Sequence, residues 1–272
     1  MSEYSICHDT QSCIRCFSCM INCLMENRVR LQREKAIGVE KTVQERLPHL
    51  AVLTPQIREV GRFPEARHFT AFRHCMHCER PACAELCPSK GIEKRKNGAV
   101  VIDEDLCVGC GSCTDACPYD GPLYDAETKK AYKCNMCYDR VENGLNPACV
   151  EACLTKAMFS GTREEVIAEA GRRAKLYEAQ SGKRYIVYGA DRINDYVGKT
   201  GWMTISPKED AEYRGLLKDP YKASIVYRDH LKTGGAVLTG AAVVLGLSGH
   251  FIHWLQKRKN AVRQLESEEE KR

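Results

Sequence analysis

Sixteen of the 17 cysteines in this chain fall into four quartets: Cys13, Cys16, Cys19 and Cys23; Cys75, Cys78, Cys83 and Cys87; Cys107, Cys110, Cys113 and Cys117; Cys134, Cys137, Cys149 and Cys153. Each quartet opens with C-x2-C and closes with C-x3-C, and only the middle gap varies, at 2, 4, 2 and 11 residues. The pattern is an internal repeat of a metal-binding device. A C-x2-C-x2-C loop wraps three corners of an iron–sulfur cubane, and the cysteine four positions further on ligates the neighbouring cluster in two-cluster ferredoxins. Clusters built this way come in pairs. Four quartets therefore predict four [4Fe-4S] clusters.

The inner two quartets share a trailing proline, Cys87-Pro88 and Cys117-Pro118, whereas the outer two end in Cys23-Leu24 and Cys153-Leu154. Between the inner two, GIEKRKNGAVVID (91–103) reads as two short strands around Asn97-Gly98, a dipeptide favoured in two-residue hairpins. Such a hairpin folds the second motif back toward the third. A nested arrangement follows. The inner pair is Cys75, Cys78, Cys83 and Cys117 beside Cys107, Cys110, Cys113 and Cys87. The outer pair is Cys13, Cys16, Cys19 and Cys153 beside Cys134, Cys137, Cys149 and Cys23. Structural zinc also takes four thiolates at short spacing, so one C-x2-C pair alone is ambiguous. Four quartets, two with the ferredoxin proline, favour iron and sulfide, and disulfides would strand one cysteine of the 17.

A length of 272 residues accommodates one or two domains. The formal net charge of +5 and the basic runs RVRLQREK (28–35) and KRK (94–96) raise the question of nucleic acid. Neither run has interleaved aromatics, and four oxidised clusters at about −2 each bring the loaded protein to about −3. No nucleic-acid partner is expected. The N-terminus has neither a basic lead-in nor an apolar run, so no secretory signal is read there and export has to depend on a partner. Residues 233–256 run for 24 positions without Asp, Glu, Lys or Arg. As a helix they span about 36 Å, enough to cross a hydrocarbon core of about 30 Å. Lys257, Arg258, Lys259 and Arg263 follow, against Arg228 and Lys232 before, a bias that favours a cytoplasmic C-terminus.

Thr162 and Glu165 form a capping box ahead of an apolar stripe of Val166, Ile167, Ala170, Ala174 and Tyr177, with Gly182 as a stop, and YIVY (185–188) reads as a strand. The fold class is accordingly α+β: two tandem bacterial-ferredoxin-like units with an insertion, plus a single C-terminal transmembrane helix. The expected plan is a four-cluster domain over 1–160, with the inner pair in about 70–118, the outer pair from 10–27 and 130–160, and an insertion at 28–69. A packing extension (161–232), the membrane helix (233–256) and a charged tail (257–272) follow.

The layout of CMHCERPACAELCPSKG (75–91), CVGCGSCTDACP (107–118) and YKCNMCYDRVENGLNPACVEAC (132–153) resembles the iron–sulfur subunits of respiratory molybdenum or tungsten oxidoreductases. FSGTREE (159–165), YRGLLKDP (213–220) and the C-terminal apolar segment make it most similar to the beta subunit of membrane-bound formate dehydrogenase. Arg15 stands where that family often has glycine, and residues 28–73 have no counterpart in the resemblance. The resemblance implies an electron-transfer subunit in anaerobic respiration, itself without catalytic residues. Its partners are a catalytic subunit holding a pterin-bound metal and a membrane cytochrome b or quinone-reactive subunit. It implies residence at the bacterial inner membrane, with the cluster domain on the periplasmic face. The same wiring in a hydrogenase or a sulfur-compound reductase is the alternative, and a zinc-stabilised membrane-tethered module is the non-redox rival.

Other residues invite roles. His250 and His253 lie one turn apart in the apolar segment, where a quinone or haem contact competes with an interfacial position. Gly235, Gly240, Gly246 and Gly249 permit close helix packing. His74 and His77 flank Cys75 and Cys78 without being needed as ligands. Arg15, Lys133 and Arg140 either balance cluster charge or face solvent, and Cys7 is read as a spare thiol.

Overall fold

The computed structural model describes residues 3–28, 52–126 and 128–222, together with Phe251, Trp254, Gln256 and Lys257. The first compact unit extends from Met1 to Lys222, and Ala223–Arg272 is a second. No division falls near residue 160, where a boundary was expected, because strands on both sides of that point share one sheet.

That sheet contains β1 (Tyr4–Asp9), β8 (Met158–Thr162), β9 (Tyr185–Tyr188) and β10 (Trp202–Pro207) in the order β8-β1-β10-β9. Strand β1 runs parallel to β10, with Ile6 opposite Trp202, and antiparallel to β8, with His8 opposite Met158. Alternate side chains point to opposite faces. Ile6, Met158 and Trp202 enter a core with Cys19, Cys23 and Cys149, while Cys7, Met203 and Ile205 face helix α6 (Arg163–Ser181). Both faces are covered, so β10 is buried along its whole length.

Helix α6 starts where its capping box predicts. The Thr162 side chain accepts from Glu165 N–H, and Glu165 Oε2 accepts from Thr162 N–H at 2.9 Å. Gly182 ends the helix in the left-handed region. Val166, Ala170 and Ala174 are buried against the sheet, and a fully buried Val contributes about 1.5–3 kcal/mol. Ile167, one step around the helix from Val166, is instead 36% exposed and leaves the expected stripe. Cys7, the spare thiol, is a buried core residue of β1.

Three further hairpins complete the described unit: β2 (Thr54–Val60) with β3 (Arg67–Arg73), β4 (Ile92–Lys94) with β5 (Val100–Ile102), and β6 (Leu123–Asp125) with β7 (Lys130–Tyr132). The first begins in the insertion, whose residues 29–51 are outside the described set, and runs past its expected end at 69 to Arg73. Its Phe69 is buried and stacks on Tyr213 at 5.1 Å. The β4–β5 turn differs from the two-residue form expected at Asn97-Gly98. Arg95 N–H donates to Ala99 O at 2.8 Å and Gly98 N–H to Arg95 O at 2.9 Å, closing a three-residue loop with Gly98 at φ +88. Asn97 is held from outside: its carbonyl accepts Tyr4 N–H at 2.9 Å, so β1 fixes the loop.

Five short helices carry the motifs: α1 (Ser18–Glu26), α2 (Ala82–Glu85), α3 (Ser112–Ala116), α4 (Tyr138–Glu142) and α5 (Ala148–Glu151). Among the described residues no helix is long and apolar enough to cross a membrane. Most of the proposed span 233–256, including His250, His253 and its glycines, lies outside the described residues; Phe251 and Trp254 are helical and exposed. Thr162→Ala should lower stability by about 1 kcal/mol through loss of the cap, seen as a reduced unfolding midpoint, with Thr162→Ser close to wild type.

Candidate metal centre

The four motifs repeat in backbone as well as in sequence. The residue before the second cysteine of each C-x2-C is left-handed in every case: Arg15 (φ 60), His77 (φ 49), Gly109 (φ 69) and Met136 (φ 62). Three of the four are not glycine and carry a conformational cost of about 1–2 kcal/mol each. Gly109 has a stricter reason, since a Cβ there would meet Lys129 O at 2.0 Å. The residue three past the last cysteine is also left-handed in three motifs, at Lys90, Asp120 and Lys156.

These loops turn donors toward sulfur. His77 N–H donates to Cys75 Sγ at 3.4 Å, Met136 N–H to Cys134 Sγ at 3.4 Å, Gly121 N–H to Cys117 Sγ at 3.3 Å and Met158 N–H to Cys153 Sγ at 3.2 Å. In the first motif the Arg15 backbone acts on Cys13 in the same way, and at the motif's exit a side chain takes this part, Asn27 Nδ2 reaching Cys23 Sγ at 3.6 Å. Hydrogen bonds to ligand sulfur are one of the levers that set an iron–sulfur potential.

Charge coupling among the thiols shows which are neighbours. Burial pushes Cys78 well above the ordinary thiol value, and Cys75, Cys117 and Cys83 push it the same way. Burial likewise raises Cys149, followed by Cys134, Cys23 and Cys137. Cys19 is pushed up to about 12 by burial, with Cys13, Cys153 and Cys16 acting in the same direction. Burial raises Cys113 to about 11, with Cys107 and Cys110 beside it, and a cavity lined by Cys107, Cys110 and Cys113 also takes in Cys87. Each group therefore draws its fourth thiol from a different motif.

The groups also form a row. Cys19 acts on Cys149, Cys75 acts on Cys134, and Cys113 acts on Cys83. The order is the Cys13/16/19/153 group, then 23/134/137/149, then 75/78/83/117, then 87/107/110/113. The two exposed thiols sit at opposite ends, Cys16 and Cys110. Both are held below the ordinary thiol value by a serine hydroxyl two residues on, Ser18 and Ser112.

The remaining charged and imidazole groups take distinct positions. His74 is buried and meets the Cys75 carbonyl through Nδ1 at 2.9 Å, its ring 3.9 Å from that of Trp202. His77 is buried and its Nδ1 accepts Val100 N–H at 3.0 Å, which leaves the ring proton on Nε2. Arg15 is at the surface, donating to His68 O at 3.1 Å, and Arg140 pairs with Glu26 at 3.2 Å. Lys94 and Arg95 of the KRK run are engaged within the protein, Lys94 with Glu3 at 3.1 Å and Arg95 over the Tyr138 ring at 3.8 Å. Lys133 is buried, at 4% exposure. Sequence reasoning missed Gly121, Ser18 and Ser112; the serines were readable as a hydroxyl at the same offset from Cys16 and Cys110.

The donor set fits iron–sulfur clusters: grouped thiols, N–H donors turned onto sulfur, and a cavity bordered by four thiols, Cys87, Cys107, Cys110 and Cys113. No three His, Cys, Asp or Glu side chains among the described residues are placed to share a single ion. The 4Fe-4S dicluster domain family matches residues 67–163. The iron–sulfur subunit of the nitrate-inducible formate dehydrogenase of Escherichia coli K12 is 33% identical over 221 residues, covering 78% of this chain and 71% of that protein. The formate dehydrogenase iron–sulfur subunit of Haemophilus influenzae is 30% identical over 250 residues, covering 90% and 78%. The B subunit of the anaerobic dimethyl sulfoxide reductase of E. coli K12 is 41% identical over 138 residues, covering 50% and 67%.

Two outcomes follow from this geometry. Gly109→Ala should distort the third motif and cost the loaded protein one cluster's worth of iron, about four atoms, measured by iron analysis after anaerobic purification. In the iron-stripped chain, burial pushes Cys19 and Cys83 up to about 12 and Cys113 and Cys117 up to about 11, from 9.0. The folded state thus keeps protons that the unfolded chain releases near pH 9. Stability from these groups is complete below that pH and is lost as pH rises toward 11 and 12. The unfolding midpoint of the stripped chain should fall above pH 9, whereas the loaded chain, already deprotonated by metal, should lack this slope.

Proposed function

Because this protein belongs to the family of formate dehydrogenase iron–sulfur subunits and their relatives in dimethyl sulfoxide reductase, we propose that it conducts electrons within such a complex through four [4Fe-4S] clusters. One end of the path faces a catalytic subunit with a molybdenum or tungsten pterin, and the other a membrane cytochrome b or quinone-reactive subunit. The observation that carries this reading is the single row of thiol groups with one exposed cysteine at each end.

When bound, a cluster supplies a one-electron redox centre with a potential set by its surroundings. The protein's own residues do the rest. The two middle groups are more enclosed than the ends: none of their thiols is exposed, and Cys23, Cys75, Cys83, Cys137 and Cys149 are buried. Water is kept from the middle of the path while the ends stay open to a partner. Ile14 and Leu154 are exposed beside Cys13 and Cys153 at one end, and Leu106 and Val108 beside Cys107 at the other. Two apolar collars at opposite ends of the row suit two different docking partners.

Formate is favoured as the substrate of the complex because similarity to the formate dehydrogenase subunits extends over 78% and 90% of this chain. The dimethyl sulfoxide reductase subunit, matching 50% at higher identity, supports a sulfur-compound reductase as the second reading. The charge-free run 233–256 supports a membrane anchor, with the cluster domain on the outer face of the bacterial inner membrane.

Anaerobic purification with the co-expressed large subunit should give about sixteen iron and sixteen sulfide per chain, molybdenum or tungsten, and formate-dependent reduction of the clusters. A colourless, zinc-rich chain would refute the redox assignment, and a nickel-bearing or formate-inert partner would refute the substrate. Cys16→Ser and Cys110→Ser should each cut electron delivery to quinone by at least tenfold while dye-linked formate oxidation by the catalytic subunit persists.

A further inference from the structure

Lys133 is the residue at which the two middle groups meet. It immediately precedes Cys134, and its ammonium donates to the carbonyl of Cys134 itself at 3.0 Å and to that of Val100. Its charge also acts on Cys83, of the 75/78/83/117 group, and on His77 next to Cys78. One side chain therefore addresses ligands of both middle groups. It is only 4% exposed, and among the described residues no carboxylate forms an ion pair with it. Lys133 itself lines a groove whose wall also carries the carboxylates Glu26, Asp103 and Asp139, none of which reaches ion-pair distance of its Nζ.

A buried cation without a countercharge costs several kcal/mol, and carbonyl dipoles alone offset only part of that. A negative group held by the surrounding thiols would supply the close countercharge that those groove carboxylates do not. A thiolate-ligated [4Fe-4S] unit carries about −2, and about −3 after taking one electron. Val100 fixes the placement, because its N–H donates to His77 Nδ1 at 3.0 Å while its carbonyl accepts from Lys133. One residue of β5 thus ties the Cys75–Cys78 loop to the Cys134 loop and keeps the ammonium in the seam. His77 adds an Nε2–H that is buried and has no partner among the described residues.

We propose that Lys133 is the shared countercharge of the two middle clusters and raises their reduction potentials. This rests on the iron–sulfur reading. One-electron reduction adds negative charge to a cluster, and a positive charge beside it favours the reduced form. The residue sets the level of the middle of the path and ligates nothing. His77, neutral and carrying its proton on Nε2, contributes a dipole in the same seam.

The test is an EPR-monitored redox titration of the loaded, full-length chain in its complex. Cys16→Ser and Cys110→Ser backgrounds identify the signals of the two end clusters. In Lys133→Met the middle clusters should become harder to reduce, with midpoints shifted to more negative potential, while the end clusters stay in place. Lys133→Gln keeps N–H donors for the two carbonyls without the charge and should show the same shift. Lys133→Arg should restore wild-type midpoints. Should Lys133→Met fail to hold iron, Lys133→Gln and Lys133→Arg still separate charge from hydrogen bonding. Unchanged middle potentials in a neutral variant with full iron content, or an equal shift of all four clusters, would overturn the proposal. Absence of cubane signals from the wild type would instead overturn the iron–sulfur reading itself.

Discussion

The structure depends on bringing the two ends of a long chain segment into one thiol group. Cys13 and Cys153 are 140 positions apart, and holding them together is an entropic cost that local turns cannot offset. The β1–β8 pair meets it. Their antiparallel register sets His8 against Met158, so the chain leaves β1 just before Cys13 and enters β8 just after Cys153. The sheet is a clamp for ligation as much as a core element. Its inner face, with Ile6, Met158 and Trp202, packs on Cys19, Cys23 and Cys149. In an ordinary domain those positions would be aliphatic. Here part of the core is sulfur.

That division explains what could be read from the sequence. The motifs are local, with fixed spacing and recurrent turn residues, so the quartets stand out at once. Helix α6 was legible through Thr162, Glu165 and Gly182, which act over one or two turns. The sheet was not, because β1 and β10 pair residues about 200 positions apart, and YSICHD and WMTISP carry no turn signal that links them. The β6–β7 hairpin was hidden for a different reason. Its turn runs Asp125 to Lys130 without glycine or proline, and Thr128 closes it by donating to Asp125 Oδ2 at 2.7 Å. Lys133 was visible as a charge, but only its burial separates a countercharge from a solvated lysine.

Arg15 shows how a sequence comparison can mislead and a backbone correct it. As a replacement for glycine it suggested a local departure in the first motif. Its left-handed conformation is shared by His77 and Met136, so the position requires a backbone geometry and tolerates several side chains. Glycine is obligatory only at Gly109, where Lys129 O presses on the site. The requirement comes from packing against the β6–β7 turn, and it is specific to the third motif.

The exits of the motifs follow the same logic. After Cys87, Cys117 and Cys153 the chain must reach a strand within about six residues, β4 at Ile92, β6 at Leu123 and β8 at Met158. A sharp left-handed turn at Lys90, Asp120 or Lys156 achieves this, and in the last two motifs it brings a backbone N–H onto the cysteine sulfur. After Cys23 no strand lies close by among the described residues, so α1 runs on to Glu26 and the chain enters the long insertion. With the helix continuing, the backbone amides past Cys23 are turned to the helix's own carbonyls: Asn27 N–H donates to Cys23 O at 3.1 Å. The Asn27 amide side chain then supplies the donor that the turn supplies elsewhere. The repeat preserves a hydrogen bond to sulfur even where it gives up the backbone shape that makes it.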